Sequence, residues 1–199
     1  MTAVAIVMVE KNGITTVNTS IHYGQYKNLC NTIKFIFCEV GELFMSKNIL
    51  ILGPSRAGKT TLTKKLNEEL NYSLVCFDSI IYAFEQSFPQ LGICFGAGAQ
   101  NTATNLADFL IHYFRILSQR SEQKNGVKFA AEGGYFDFDK IITAINNDDM
   151  RKDFLFIGLV YNNKTPDELF DDIRKNDTEG DWSYNCDDDR ANGKLRNQE

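Results

Sequence analysis

The residue types most able to do chemistry crowd into one short run: Gly53, Pro54, Ser55, Arg56, Ala57, Gly58, Lys59, Thr60 and Thr61. Two glycines five positions apart, with a lysine and a threonine directly after the second, match the phosphate-loop pattern GxxxxGK[ST], the Walker A motif. Each part has a physical task. The glycines let the backbone curl until its N–H groups converge on phosphate oxygens. A helix start beyond them adds the positive end of its dipole. Lys59 is placed to bridge the β- and γ-phosphates and the Thr60 hydroxyl to bind Mg²⁺. Thr61 is placed to assist at the α-phosphate, and Arg56 either touches a phosphate or points away. With glycine near 7% of residues, such a chain matches by chance on the order of one time in a hundred, so the surroundings of the motif decide.

Those surroundings are a strand before the motif and a helix after it. Asn48–Leu52 is a short apolar run, as expected of a strand buried on both faces. Thr60–Leu70 carries Leu62, Leu66 and Leu70 at helical spacing. The alternation continues with an apolar run at Ser73–Phe77 that ends at Asp78, then helical spacing over Ser79–Phe88. A glycine-rich loop spans Leu91–Asn101, and Asn105–Gln119 reads as a long, largely buried helix with Leu106, Leu110, Tyr113, Phe114 and Leu117. Val127–Ala131 is a third strand ending at Glu132-Gly133-Gly134, followed by a short helix over Phe138–Asn146. Phe154–Val160 is a fourth strand, and Pro166–Asn176 a helix with Thr165 as its N-cap. Strands alternating with helices predict a parallel sheet with helices on both faces, a three-layer αβα fold.

Composition narrows the partners. The net charge is −5, and an extended nucleic-acid groove selects basic surfaces instead. Residues 171 to 199 hold nine acidic and five basic residues, hence −4 of that −5, which reads as a solvated tail. The five cysteines are odd in number and scattered, without a CxxC pair, which fits a reducing, cytoplasmic setting and gives no zinc signal. No apolar run is long enough for a membrane span, and the start lacks the features of a signal peptide. A GTPase is disfavoured: Asp177-Thr178-Glu179-Gly180 has the DxxG form but lies beyond the fourth strand, and Asn163-Lys164-Thr165-Pro166 lacks the final Asp of NKxD.

The motif "GPSRAGKTTL", then "LVCFD", "FAAEGG" and "TPDELFDDIRKNDTEGDWS" in that order, resembles the P-loop kinases of small molecules, the adenylate-kinase-like group. The resemblance covers about residues 46 to 180. It implies a P-loop NTPase fold and transfer of the γ-phosphoryl group of Mg-ATP to a small metabolite or nucleotide. In that group the acid after the second strand faces the acceptor hydroxyl, which makes Asp78 the acceptor-orienting base; the bland alternative is a cap on the following helix. By order, Glu132 holds Mg²⁺ with Thr60, and Gly133-Gly134 let substrate approach the backbone. Arg174 and Lys175 stand where such kinases place a lid, able to neutralise charge on the moving phosphoryl group or simply to favour a helix end. The rival reading is a nucleotide-binding protein or truncated kinase fragment without phosphotransfer. A third is a kinase acting on a nucleotide sugar.

Outside this region the expectations are structural. Residues 1 to 44 form an extension of doubtful role, with a hairpin turning at Asn12-Gly13 and another strand within "TIKFIFCEV". Met45 is a normal start for such a kinase, so the extension is expected to be dispensable and not natively translated. Residues 45 to 176 form the kinase-like domain, and 177 to 199 a lid remnant and acidic tail. After Trp182 no four-residue apolar run remains, so the group's fifth strand is missing. A four-stranded sheet is then expected to present an open edge at its first or fourth strand, through which chains could associate.

Overall fold

The computed structural model describes residues 3–10, 13–19, 48–53, 57–95, 101–121, 126–147, 153–162, 165–176, 179 and 184. Its elements are strands β1 (Ala3–Glu10), β2 (Gly13–Thr19) and β3 (Asn48–Leu52), helix α1 (Lys59–Leu70), strand β4 (Ser73–Cys76), helices α2 (Phe77–Ser87) and α3 (Thr102–Ser121), strand β5 (Phe129–Glu132), helix α4 (Phe138–Asn147), strand β6 (Phe154–Asn162) and helix α5 (Pro166–Asn176). A single 3₁₀ turn, Pro89–Leu91, follows α2.

The heart of the sheet is a parallel set in the order β6-β3-β5-β4. All five residues of β3 are buried, which is why that strand is a continuous apolar run rather than an alternating one. The chain leaves β3, passes over β5 and enters β4; later it leaves β5, passes over β3 and enters β6. These two crossovers run in opposite directions. Right-handed connections therefore send α1 to one face of the sheet and α4 to the other. Two neighbouring strands whose connections leave in opposite directions define a switch point, and the crevice beyond their carboxyl ends is where open α/β sheets hold ligands. Here that point lies between β3 and β5.

The larger core lies on the α2–α3–α4 face. Leu106, Leu110, Phe114 and Leu117 of α3 are buried at helical spacing with Phe77, Ile81 and Ile141. Phe114 meets Phe77 and Phe154 edge-on at ring-centroid distances of 5.7 and 5.5 Å, the favoured geometry for aromatic pairs. Leu62 and Leu66 of α1 are buried as their spacing requires. Helix α1 ends at Asn71 in the left-handed region (φ 58), where the N–H of Asn71 bonds to Asn67 O at 3.0 Å and that of Tyr72 to Leu66 O at 3.3 Å. At α5 the expected cap is present as a reciprocal pair: Thr165 N–H donates to Glu168 Oε2 (2.8 Å) and Glu168 N–H to Thr165 Oγ1 (3.3 Å).

The sheet differs from the four-stranded expectation. β1 and β2 form an antiparallel hairpin with Glu10 opposite Gly13, and β1 then pairs antiparallel with β6. The sheet thus has six strands in the order β2-β1-β6-β3-β5-β4. Neither of the strands expected to be exposed is an edge: β3 is interior, and β6 is covered by β1. The edges are β2 and β4. The pairing also explains why β6 runs to Asn162 rather than Val160, since Ala3 and Val4 stand opposite Asn162 and Tyr161. The strand expected within "TIKFIFCEV" and the tail beyond Tyr184 lie outside the described residues. Among the described residues no helix is long and apolar enough to cross a membrane.

Candidate functional site

The loop after β3 ends at the start of α1, on the switch point. Gly53 adopts φ +149, and a Cβ there would lie 2.4 Å from the carbonyl oxygen of Leu159 on β6. Only glycine lets the chain leave β3 so close to its neighbour. Gly58 adopts φ +90 directly before α1 and accepts that helix's first bond from Leu62 N–H at 3.0 Å. Helix α1 has no side-chain cap and no acidic residue in its first turn. Its leading N–H groups therefore point into the crevice without a carboxylate to compete for them, which favours an anion. Pro54, Ser55 and Arg56 lie outside the described residues. Ala57 is buried and Thr61 half-buried.

Three side chains converge here from separate elements. Lys59, the first residue of α1, donates from Nζ to Gly53 O at 2.8 Å, so its cation is folded over the loop. Thr60 Oγ1 donates to Glu132 Oε1 at 3.0 Å. Glu132 is the last residue of β5, opposite Ile51 of β3 and Cys76 of β4, and is only 5% exposed. A carboxylate so buried needs partners, and the Thr60 hydroxyl supplies one. Burial pushes the pKa of Lys59 down; the charges of Glu132, Asp78 and Cys76 partly restore it. Lys59 is thus electrostatically tied to both acids.

Asp78 is neither at a strand end nor a cap. Cys76 holds the N-cap position of α2 without a side-chain bond, and Asp78 lies inside the first turn. Its carboxylate instead accepts the backbone N–H of Gly134, the residue two beyond Glu132. Although Asp78 keeps an exposed flank, the surrounding walls desolvate it and push its pKa up. Lys59 and the Gly134 N–H oppose that rise. The expected helix cap is therefore replaced by a cross-link between the β4–α2 and β5–α4 turns. The expected role of Gly133 also changes: its missing Cβ makes room for Phe77, whose Cβ would stand 2.7 Å from it.

Arg174 is placed on α5 with its guanidinium over the Phe170 ring, 5.4 Å from the centroid. That stacking engages it along its own helix, while Lys175 is exposed. His112 is exposed on α3, its Nδ1 3.0 Å from an Arg115 guanidinium nitrogen.

Sequence reasoning passed over Tyr82 and Tyr135. Tyr82 lies one helical turn beyond Asp78, and Tyr135 directly follows the glycine that binds Asp78. The charge of Asp78 helps raise the Tyr135 pKa, after burial. A tyrosine behind Gly133-Gly134 was the available signal.

The donors also fit a hard divalent cation. A threonine hydroxyl and a carboxylate are oxygen ligands of the kind Mg²⁺ takes in small number, leaving its other positions to water and phosphate. Among the described residues no group of three or more His, Cys, Asp or Glu side chains forms a ready-made cage. Comparison of the chain with family models, with curated proteins and with solved structures finds no match.

Proposed function

We propose that this chain is a P-loop NTPase-type kinase that transfers the γ-phosphoryl group of Mg-ATP to the hydroxyl of a small acceptor. The observation that carries the reading is the bond between Thr60 at the head of α1 and the buried Glu132 at the end of β5, with Lys59 beside them. A loop motif, a helix start and a strand-end acid meet at the switch point of the sheet, where each has a task in phosphoryl transfer.

The loop's backbone N–H groups and the α1 dipole hold the phosphates. Lys59 leaves the Gly53 carbonyl for the β- and γ-phosphate oxygens. Thr60 and Glu132 would hold Mg²⁺, the latter directly or through water, and the ion would neutralise charge between the phosphates. Asp78 accepts the proton of the acceptor hydroxyl as that oxygen bonds to the γ-phosphorus. The bond from phosphorus to the bridging oxygen breaks, and its electron pair leaves with ADP. A carboxylate made more basic by partial desolvation suits this step better than one in bulk water. Holding Asp78 through Gly134 fixes its direction, so catalysis is largely positioning.

The direct test is Lys59→Ala. Mg-ATP affinity measured by calorimetry should fall at least about a hundredfold, a loss of roughly 2.7 kcal/mol, while far-UV circular dichroism stays unchanged. Unchanged affinity would remove the basis of the reading. ATP consumption that does not rise with any added acceptor would favour nucleotide binding without phosphotransfer.

A further inference from the structure

Beside Asp78 stands a wall of rings that the phosphate chemistry does not use. The Tyr82 ring lies 4.5 Å from that of Phe95, and Phe95 meets Tyr135 edge-on at 5.5 Å. Core rings such as Phe77 and Phe114 are sealed, whereas Tyr82 and Tyr135 are exposed. The turn that carries Tyr135 is the one whose Gly134 N–H holds the Asp78 carboxylate. Tyr135 itself sits at φ +60, an unusual conformation for a bulky residue, which persists where surrounding structure enforces it and is frequent beside ligands.

The loop bearing Phe95 is anchored as well. Thr102, fully buried at the start of α3, accepts the Cys94 N–H at 3.1 Å and donates to the Cys94 carbonyl at 2.8 Å. Asn105 donates to the Leu91 carbonyl at 2.9 Å. The rings are therefore presented from fixed backbone on three elements, as a recognition surface requires.

Charge supplies the second half of the argument. No charged residue occurs from Gln86 to Ala107. The acid of the wall is Asp78, and the cation acting on it is Lys59, which the phosphate loop already engages. A phosphate ester entering beside the rings would bring like charge toward Asp78 in a half-desolvated place, which is disfavoured. The Tyr135 phenol, its pKa pushed up by burial and by Asp78, stays neutral and able to donate.

Building on the kinase reading, we infer that Tyr82, Phe95 and Tyr135 form the acceptor subsite, and that it takes an uncharged alcohol bearing a flat unsaturated ring rather than a phosphate ester. The ring stacks on the wall and the hydroxyl points toward Asp78. The product is then a first phosphate monoester, so the supplying reaction must deliver a free alcohol.

Three classes of probe separate ring from charge. The first holds uridine, adenosine, pyridoxine and 4-hydroxybenzyl alcohol; the second, phosphate monoesters of the same alcohols; the third, ribose and ribitol. Binding is read by saturation-transfer NMR on the full chain, with Mg-ADP present to fill the nucleotide site. At least one free ring alcohol should bind at least tenfold tighter than its phosphate ester, and the ring-free sugars should not bind. Tyr135→Leu should weaken that ligand at least tenfold and Tyr135→Phe less than threefold, with Mg-ATP affinity unchanged in both. Binding confined to phosphate esters or sugars, binding in no class, or insensitivity to Tyr135→Leu overturns the proposal. Intact Mg-ATP binding alongside such a failure leaves the kinase reading standing. Ring-alcohol binding without any Mg-ATP binding overturns the kinase reading instead.

Discussion

β3 divides the molecule into two flanks built on different terms. Toward β5 and β4 the strands are four residues each and end in chemistry: Glu132 closes β5, and Asp78 follows β4 within the first turn of α2. Toward β6 and the hairpin the strands run nine, eight and seven residues, and the pairing turns antiparallel. Short parallel strands deliver side chains to a crevice, while long paired strands extend and close a sheet. A scaffold can thus keep its precision on one side and its bulk on the other.

The comparison is tested most severely at Asp78. Asp78→Asn keeps the hydrogen-bond acceptor for Gly134 but removes the base. Acceptor-dependent turnover should fall by about a hundredfold or more, the usual contribution of a positioned base, with Mg-ATP affinity unchanged by calorimetry. Turnover within a few-fold of the parent would reduce Asp78 to a cross-link between two turns.

How much of this was legible beforehand follows from locality. The phosphate loop was legible because its spacing is strict and its requirements lie within a few residues. The Thr165–Glu168 cap was legible for the same reason. That Asp78 belongs inside α2 was not, because it depends on Phe77 fitting under Gly133, a contact between distant segments. The hairpin was legible from Asn12-Gly13, but its docking on β6 was not, since no local pattern encodes which strand a hairpin joins. The ring wall was illegible because Tyr82, Phe95 and Tyr135 are ordinary residues until the fold gathers them.

The other flank is challenged by removing the hairpin. A chain beginning at Met45 loses β1, so the backbone groups of β6 from Ile157 to Asn162 lose their partners. An exposed strand of this length invites pairing between chains. Light scattering should show association at micromolar concentration, and the melting temperature should fall by roughly 5 °C or more. Mg-ATP affinity should change little in the fraction that remains monomeric. A monomer of unchanged melting temperature would show that the hairpin is dispensable and that the flanks do not differ in the way argued here.

Gly133→Ala probes the seam where the chemical flank meets the core. The added Cβ would sit 2.7 Å from that of Phe77, so strand or helix must shift. Overpacking of this kind costs about 1–3 kcal/mol, readable by urea denaturation. Because Gly134 holds Asp78 from the next position, turnover should fall further than stability alone explains. A variant as stable and active as the parent would mean that the β5 turn moves freely, contrary to its role as a fixed mount.

The smallest effect is the pH dependence of stability in Asp78→Asn. The folded chain raises the pKa of Asp78 above its ordinary value of 3.8, so folding favours the protonated form. Stability tied to that proton is fully present below the unfolded pKa and lost as pH rises through the folded one. At neutral pH the charged carboxylate is therefore a net cost to the fold, and this net already includes its attraction to Lys59. Replacing it with neutral Asn relieves the cost. The variant should melt higher than the parent at pH 7, by no more than about 2 °C because solvent screens a partly exposed carboxylate. The gap should close as pH falls below about 4, where both side chains are neutral. A stabilised but inactive variant is what a side chain kept for chemistry produces. Destabilisation at pH 7 would instead show that the carboxylate stabilises the fold through Lys59 and Gly134, and would place Asp78 with the scaffold.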